Sequence, residues 1–248
     1  MKQLSYHMLT NTSWKCKWVK AIRMLFSGLL DLIYPPLCLL CERRLDQNED
    51  QVCLSCLHNF KLIGKAHAQF SVPGEIYLGT AWALFEFDEA FQSLIHHLKY
   101  SRRRKPVVTV LDHYRTAIIS QLPTHTYDLV ISIPLHPRKL RERGYNQVDG
   151  MSNWLSRELG ASIGNHLVAR TKYTRTQTKL NAEERQQNVA SAFAVKDDTG
   201  VSGKKILLVD DVLTTGATAN ALAQVLRQVG GAAQVDLITL STPQHEAA

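Results

Sequence analysis

The sequence predicts an α/β protein in which helices flank a parallel sheet, with a small four-cysteine module before it. The segments at 128–134 and 204–210 are short and almost continuously apolar, which is typical of strands buried on both faces. Helical patterns at 144–159 and 217–229 alternate with these strands. Two Cys-x-x-Cys motifs lie within residues 38–56. Together these patterns favour a parallel sheet and a separate metal-binding module.

The remaining elements follow from local patterns. The apolar run AWALFEF after Thr80 predicts a strand, and DEAFQSLIHHLKY predicts a helix whose N-cap is Asp88. A second helix is expected at 107–120, and a last apolar strand at 235–240. Each strand is therefore followed by helical sequence, as in βαβ units.

Composition sets limits on the class of protein. The chain has 248 residues, of which 45% are hydrophobic, so one α/β core and an accessory module fit within it. Lys and Arg number 29 against 22 for Asp and Glu, giving a formal charge of +7. An anionic partner is compatible with this charge, but so is an ordinary basic protein.

The most apolar stretch, residues 19–40, is not expected to cross a membrane. Charged residues and Pro35–Pro36 interrupt it, and no signal-peptide cleavage site follows it. Apolar residues at helical spacing between Trp18 and Ile33 instead predict an amphipathic helix, which packs on its own protein or contacts a membrane surface or partner groove. Paired cysteines indicate a reducing compartment, so we expect the cytoplasm.

The four paired cysteines have the spacing of a tetrahedral metal site. Cys38 and Cys41 form one pair, Cys53 and Cys56 the other. This pattern predicts a structural zinc ribbon or knuckle, with iron or redox thiols as alternatives. We expect an amphipathic helix at 1–34, a zinc module at 35–60 and an α/β domain at 80–245.

The segment Ile206–Thr218, ILLVDDVLTTGAT, carries the main functional signal. A buried strand ends in two aspartates, and a glycine-containing turn then leads into a helix. Ligands bind at this edge of open α/β sheets, and backbone N–H groups at a helix start favour a phosphate. The aspartates suit sugar hydroxyls, and no lysine follows Gly216 as a nucleotide P-loop requires. The segment therefore predicts a ribose 5-phosphate site.

These residues resemble a known family. The span VDDVLTTGAT is similar to the phosphoribosyl pyrophosphate (PRPP) motif of type I phosphoribosyltransferases. The segments ISIPLHPRKLRERGYNQ and RTKYTRTQTKLNAEERQQNVASAF extend the resemblance to ComF/GntX-like, competence-associated proteins over roughly residues 30–245. The resemblance implies a type I phosphoribosyltransferase-like fold.

The resemblance also implies roles for single residues. Asp210 and Asp211 would contact the ribose as catalytic residues. The PRPP and phosphate contacts would come from Val212, Leu213, Thr214, Thr215, Gly216, Ala217 and Thr218. The pyrophosphate loop would comprise Pro134, Leu135, His136 and Arg138, and the flexible loop would use Arg170, Lys172, Arg175 and Gln177. Mg²⁺ would accompany PRPP.

The resemblance implies a competence protein that handles single-stranded DNA during natural transformation. The partners that this suggests are single-stranded DNA and competence or DNA-processing proteins. The basic clusters at 102–105 and 138–143 are compatible with phosphate contacts. No acceptor motif is visible, so the alternatives are a phosphoribosyltransferase acting on an unidentified base and a PRPP sensor without catalysis. The sequence leaves open whether the protein is an enzyme.

Overall fold

The computed structural model describes residues 35–63, 72, 74–100, 105–123, 126–171 and 192–243. The amphipathic helix expected within 1–34 and the cluster Arg102–Arg104 lie outside these residues, as does the central part of the expected flexible loop. The predicted bounds of the three segments stay predictions.

Seven strands are present in the described residues. Five form a parallel sheet in the order β1-β7-β6-β2-β3, and β4 and β5 form an antiparallel pair beside it. The strands are β1 Ala81–Glu86, β2 Leu129–Ser132, β3 Ser162–Ile163, β4 Val168–Arg170, β5 Phe193–Val195, β6 Lys205–Val212 and β7 Gln234–Thr242.

Helices cover the sheet, as the sequence predicts. They are α1 Leu54–Leu57, α2 Glu89–Tyr100, α3 Lys105–His113, α4 Arg115–Ile119, α5 Pro137–Arg143, α6 Asp149–Leu159 and α7 Ala217–Gln228, with a 3₁₀ turn at Asn165–Leu167. The central strands are buried on both faces, so that their side chains divide between two apolar clusters. The prediction of a parallel sheet flanked by helices is confirmed.

Helix α2 begins where the sequence places its N-cap. Asp88 Oδ1 accepts a hydrogen bond from the N–H of Phe91 at 2.9 Å. This bond satisfies one of the donors that a helix start leaves unpaired.

Two predicted helices are wrong in extent. The helix expected at 144–159 begins only at Asp149, and a separate helix, α5, precedes it. Gly144 ends α5 with φ 78°, a left-handed conformation that an ordinary side chain disfavours. The helix expected at 107–120 is interrupted at Tyr114 and so becomes α3 and α4.

The cysteine module packs directly on the α/β body. Its last residues pair antiparallel with the edge strand β1, because the N–H of Ile63 donates to Leu84 and the N–H of Glu86 donates to Lys61. Phe60 lies edge-on to Phe85 in the core, with ring centres 6.0 Å apart. The two parts therefore share one hydrophobic core.

Among the residues described, no helix has the length and apolar character that a membrane crossing requires.

Candidate functional site

The predicted ligand site lies where the connections of the sheet diverge. Strands β2 and β6 are parallel neighbours, with Ser132 opposite Val209. The chain leaves β2 toward β3 on one side, whereas it leaves β6 toward β7 on the other. Such a divergence opens a crevice at the carboxyl ends of the two strands, where open α/β sheets bind ligands.

The two aspartates form the end of β6 in this crevice. Asp211 is 9% exposed, and Asp210 is partly buried as a residue, with its carboxyl group enclosed by the surrounding protein. Each carboxylate accepts the next backbone N–H: Asp210 from Asp211 at 2.9 Å, and Asp211 from Val212 at 2.8 Å. These bonds fix both side chains at the mouth of the crevice.

The two carboxyl groups have different electrostatic surroundings. Burial and the neighbouring charge of Asp211 raise the pKa of Asp210 to about 8, although nearby Lys99 opposes the shift. Asp211 instead pairs with Lys99, whose Nζ lies 3.1 Å from Asp211 Oδ2. Adjacent acids in different surroundings are common at functional sites.

The segment after the aspartates forms a small hollow at the start of α7. Gly216 is the N-cap and has φ 80°, which turns the chain into the helix. The hollow has a volume of about 50 Å³ and is lined by residues 212–219 together with Asp210, Leu237 and Thr239. Thr214 and Thr215 are exposed at its rim. A helix start with exposed hydroxyls nearby is suited to a phosphate group.

Two residues that the sequence analysis does not assign to the site, Lys99 and Gln147, complete the surroundings of Asp211. Gln147 donates from Nε2 to Asp211 Oδ2 at 3.0 Å. Arg143 in turn donates to Gln147 Oε1 at 2.8 Å. Gln147 is only 5% exposed, although it is polar, and it lies between α5 and α6, where the sequence predicted one continuous helix.

The predicted pyrophosphate loop follows β2 at the opposite wall of the crevice. Pro134, Leu135 and His136 connect the strand to α5, where His136 Nδ1 accepts from the N–H of Arg138 at 3.2 Å. Arg138 pairs with Glu142 on the exposed side of α5. The roles of these four residues stay predictions.

Lys139 and Arg143, also on α5, are less exposed than Arg138, and Arg143 is linked to Asp211 through Gln147. Burial and the positive charges of Arg170, Arg143 and Lys99 lower the pKa of Lys139. The basic cluster at 138–143 is therefore divided between the solvent and the crevice.

Arg170 lies in β4 rather than in the mobile loop that the sequence suggested. Its guanidinium is 5.3 Å from the centre of the Phe193 ring on the paired strand β5. Burial lowers the pKa of Arg170, and the negative charge of Asp210 opposes the shift. This electrostatic coupling to Asp210 indicates that Arg170 lies at the crevice. The other flexible-loop candidates, Lys172, Arg175 and Gln177, lie outside the described residues.

The four cysteines converge as their spacing predicts. The sulfur atoms of Cys38, Cys41, Cys53 and Cys56 all lie within 4.8 Å of one another. Cys41 Sγ and Cys53 Sγ are 3.6 Å apart. Four thiolates around one zinc ion at about 2.3 Å per bond require separations of this size.

The surroundings of the cysteines also fit a metal. Burial raises the pKa of Cys56; at Cys53 burial is outweighed by the N–H of Cys56, by Arg43 and by the neighbouring thiols, which lower the pKa to about 6. Glu49 holds Arg43 through contacts of 2.6 and 2.8 Å and also accepts from the N–H of Leu54. A closed set of four sulfur ligands, here with Cys38 and Cys53 buried, is typical of structural zinc.

Two family models match the sequence. The phosphoribosyl transferase domain matches residues 152–247, and the double zinc ribbon domain matches residues 29–68. The first covers α6 through β7, including the acid pair, and the second covers all four cysteines. Fold, site and matches together define the class: a phosphoribosyltransferase-type α/β domain that carries a zinc ribbon.

The relatives identify the family within that class. The chain is 31% identical to the DNA utilization protein YhgH of Escherichia coli strain K12 over 223 residues, which cover 82% of the chain and 95% of that protein. It is 39% identical to competence protein F of Haemophilus influenzae over 104 residues, or 42% of the chain and 45% of that protein. The chain belongs to the ComF/GntX-like family of competence proteins.

Solved structures resemble the chain less closely than these relatives do. Adenine phosphoribosyltransferase from Thermoanaerobacter pseudethanolicus is 15% identical, with a TM-score of 0.36 over 56% of the chain and 83% of that structure. A likeness of this size adds nothing to the family assignment.

Proposed function

We propose that the protein binds PRPP with Mg²⁺ in the crevice between β2 and β6, and that this binding serves the handling of single-stranded DNA. The observation that carries the proposal is the acid pair, Asp210 and Asp211, at the end of a buried strand directly before a helix-start hollow. A phosphorylated pentose has both chemistries that this arrangement recognises. Its hydroxyls donate to carboxylates, and its 5-phosphate accepts from backbone N–H groups.

The proposed ligand orientation follows from the two walls of the crevice. The 5-phosphate would bind at Thr214–Thr218, and the ribose hydroxyls would donate to Asp210 and Asp211. The pyrophosphate would then point toward Pro134–His136 and the cations of α5. Mg²⁺ would be held chiefly by oxygens of PRPP, since this cation prefers oxygen ligands and retains water.

The role in DNA handling rests on the relatives. One is named a competence protein and the other a DNA utilization protein. Arg138 and Arg141 are exposed on α5 and could contact a phosphate backbone. The cytoplasmic location predicted from the paired cysteines is part of this proposal.

A second candidate function is the transfer of phosphoribose to an unidentified acceptor. The cations that face the crevice favour it, because positive charge stabilises pyrophosphate as it leaves. A sensor that binds PRPP without catalysis differs from this enzyme only in that it releases PRPP unchanged. Release of pyrophosphate from labelled PRPP, measured with nucleobases and with single-stranded DNA, separates the enzyme from the sensor.

Isothermal titration calorimetry tests the central proposal. The purified protein is titrated with PRPP in the presence of Mg²⁺ and again with a chelator of Mg²⁺. We expect saturable binding that requires the cation, and a loss of about tenfold to a hundredfold in affinity for Asp211→Asn, because a charge-assisted hydrogen bond is weakened. Asp198→Asn is the matched control, since Asp198 is an exposed aspartate that lines neither the hollow before α7 nor the cavity beside Pro134 and Leu135. Absence of PRPP binding by the wild-type protein contradicts the proposal.

Fluorescence anisotropy with a labelled single strand tests the DNA part. Affinity is expected to fall linearly with the logarithm of salt concentration, and the double change Arg138→Ala and Arg141→Ala should lower the slope. Arg157→Ala, at an exposed position on α6, serves as the control. Equal slopes for all variants would remove α5 from the DNA interface.

A further inference from the structure

Lys99 is the cation whose position the proposed function leaves unexplained. It lies at the end of α2, and its Nζ is 3.1 Å from Asp211 Oδ2, with the Lys99 side chain 29% exposed and that of Asp211 12% exposed. A lysine near a helix C-terminus is common on electrostatic grounds alone. This one, however, ends on a carboxylate of the candidate site.

Asp211 already accepts from three donors in the structure. Its Oδ1 accepts from the N–H of Val212, and its Oδ2 accepts from Gln147 and from Lys99. Because each carboxylate oxygen has two lone pairs, a ribose hydroxyl that donates to Oδ2 must compete with Gln147 or Lys99.

Lys99 is the donor that can be displaced most easily. The N–H of Val212 belongs to the backbone of β6, and Gln147 is buried and held by Arg143. Lys99 has a flexible four-carbon stem and a partly exposed side chain, so its ammonium can move without disturbing the backbone.

The groups around Lys99 indicate where its ammonium group would lie after it leaves Asp211. Lys99 is close enough to Lys139 to help lower the pKa of that residue, after burial and the charges of Arg170 and Arg143. Lys139 lies on α5, which begins directly after the loop Pro134–His136. Tyr145 also donates to the carbonyl of Leu98, which fastens the end of α2 beside this segment. The salt bridge and this hydrogen bond place Lys99 beside Asp211 and next to the segment that follows α5.

The charges in this part of the crevice do not balance. Lys99 pairs with Asp211 and Arg170 is coupled to Asp210, while Lys139 is coupled to both of these cations and to Arg143, so that four cations lie around two carboxyl groups. Glu142 also lies near Lys139, but it pairs with Arg138. An excess of positive charge in a partly buried crevice favours a ligand group with several negative charges.

We propose that Lys99 is a specificity-determining residue: it leaves Asp211 when PRPP binds, contacts the pyrophosphate group, and thereby makes the site prefer PRPP over ribose 5-phosphate. The inference rests on the proposed function, because it assumes that the ribose binds at Asp211. Arg143 and Gln147 would keep Asp211 in place after Lys99 has moved. Ribose 5-phosphate would displace Lys99 from Asp211 without offering a new partner.

The test compares two ligands on three proteins. PRPP and ribose 5-phosphate are titrated with Mg²⁺ into the wild type, Lys99→Met and Lys99→Arg, and a weakly binding ligand is measured by its displacement of PRPP. We expect Lys99→Met to lower the affinity for PRPP about tenfold or more without lowering that for ribose 5-phosphate, because only PRPP loses a charge-assisted contact. Lys99→Arg should restore most of the preference, since it retains the charge.

Lys204→Met is the matched control, because Lys204 also pairs with an aspartate, Asp128, but at the amino ends of β6 and β2 rather than at their carboxyl ends. It should change neither affinity. Equal losses for both ligands in Lys99→Met, or tighter binding of both, overturn the proposal, since they indicate a structural or a masking role. Failure of the wild type to bind PRPP at all is a different result, which refutes the proposed function itself.

Discussion

The cysteine module and the acid-pair crevice are held together in different ways. Residues 35–63 contain one four-residue helix and isolated bridges, so little regular structure brings the four sulfur atoms together. The acid pair lies on β6, an eight-residue strand whose neighbours on both sides are hydrogen-bonded to it. We therefore expect the first site to need its metal for its shape, whereas the sheet builds the second without a ligand.

Because of this difference, we expect the cysteine module to contribute to the stability of the protein and the crevice to contribute to ligand binding. Metal binding to a site that regular structure does not preform contributes its free energy to folding. A ligand site on a preformed sheet instead carries groups that folding alone would not favour, such as two adjacent carboxyl groups. Removing a ligating group should therefore destabilise the cysteine module, but removing a carboxylate from the crevice can stabilise the protein.

The largest effect is expected from removal of the metal. Chelation, or Cys53→Ser, should lower the free energy of unfolding by several kcal/mol, because structural zinc contributes about 10 kcal/mol or more in small zinc domains. The loss should extend to the α/β body, since Phe60 of the module packs against Phe85 and Phe91 in the shared core. Scanning calorimetry with metal analysis measures both effects.

The control for this experiment is Ser55→Ala, an exposed position between the second pair of cysteines. It should leave both the zinc content and the melting temperature unchanged. Zinc, but not Mg²⁺, should restore the chelated protein. A chelated protein that melts as before would show that the sheet, rather than the metal, shapes the module.

A smaller effect, of opposite sign, is expected for Asp210→Asn. The folded protein holds the proton of Asp210 up to about pH 8, because burial and Asp211 raise its pKa. The unfolded chain releases this proton near pH 4. The wild type therefore loses stability as the pH rises from about 4 to 8, and asparagine has no proton to lose.

Asp210→Asn should consequently match the wild type near pH 4 and be more stable by about 1–3 kcal/mol at pH 8, within the range for an uncompensated buried polar group. Urea unfolding at several pH values measures the difference. Asp211→Asn provides the contrast, since it removes the partner of Lys99 and should not stabilise. A stability difference for Asp210→Asn that does not vary with pH would contradict the electrostatic account.

The sequence predicts the parts of the crevice that are contiguous in the chain. The run from Asp210 to Thr218 contains a strand end, a turn and a helix start, so its local order already indicates a ligand loop. The four cysteines were also predictable, because two short pairs are enough to indicate a tetrahedral site.

Residues that reach the crevice through tertiary structure were not predictable in the same way. Lys99 ends a helix that is far from Asp211 in the chain, and only the packing of α2 beside the segment 143–147 brings the two together. Gln147 was hidden by the wrong assignment of one helix to 144–159. Pro137 and Gly144, typical first and terminating residues of a helix, could have revealed α5.

The smallest effect, and the sharpest test of the crevice, comes from two glycines with similar backbones. Gly216 has φ 80° at the ligand hollow, and Gly203 has φ 71° in a turn where an added Cβ would have nothing within 4 Å. Alanine at either position should cost about 1–2 kcal/mol of stability, since a side chain disfavours positive φ. Only Gly216→Ala should also weaken PRPP binding, by about tenfold, because the helix start would shift away from the phosphate. Calorimetry of both variants measures stability and binding together, and an equal loss of PRPP affinity in the two would mean that general strain, not the hollow before α7, controls binding.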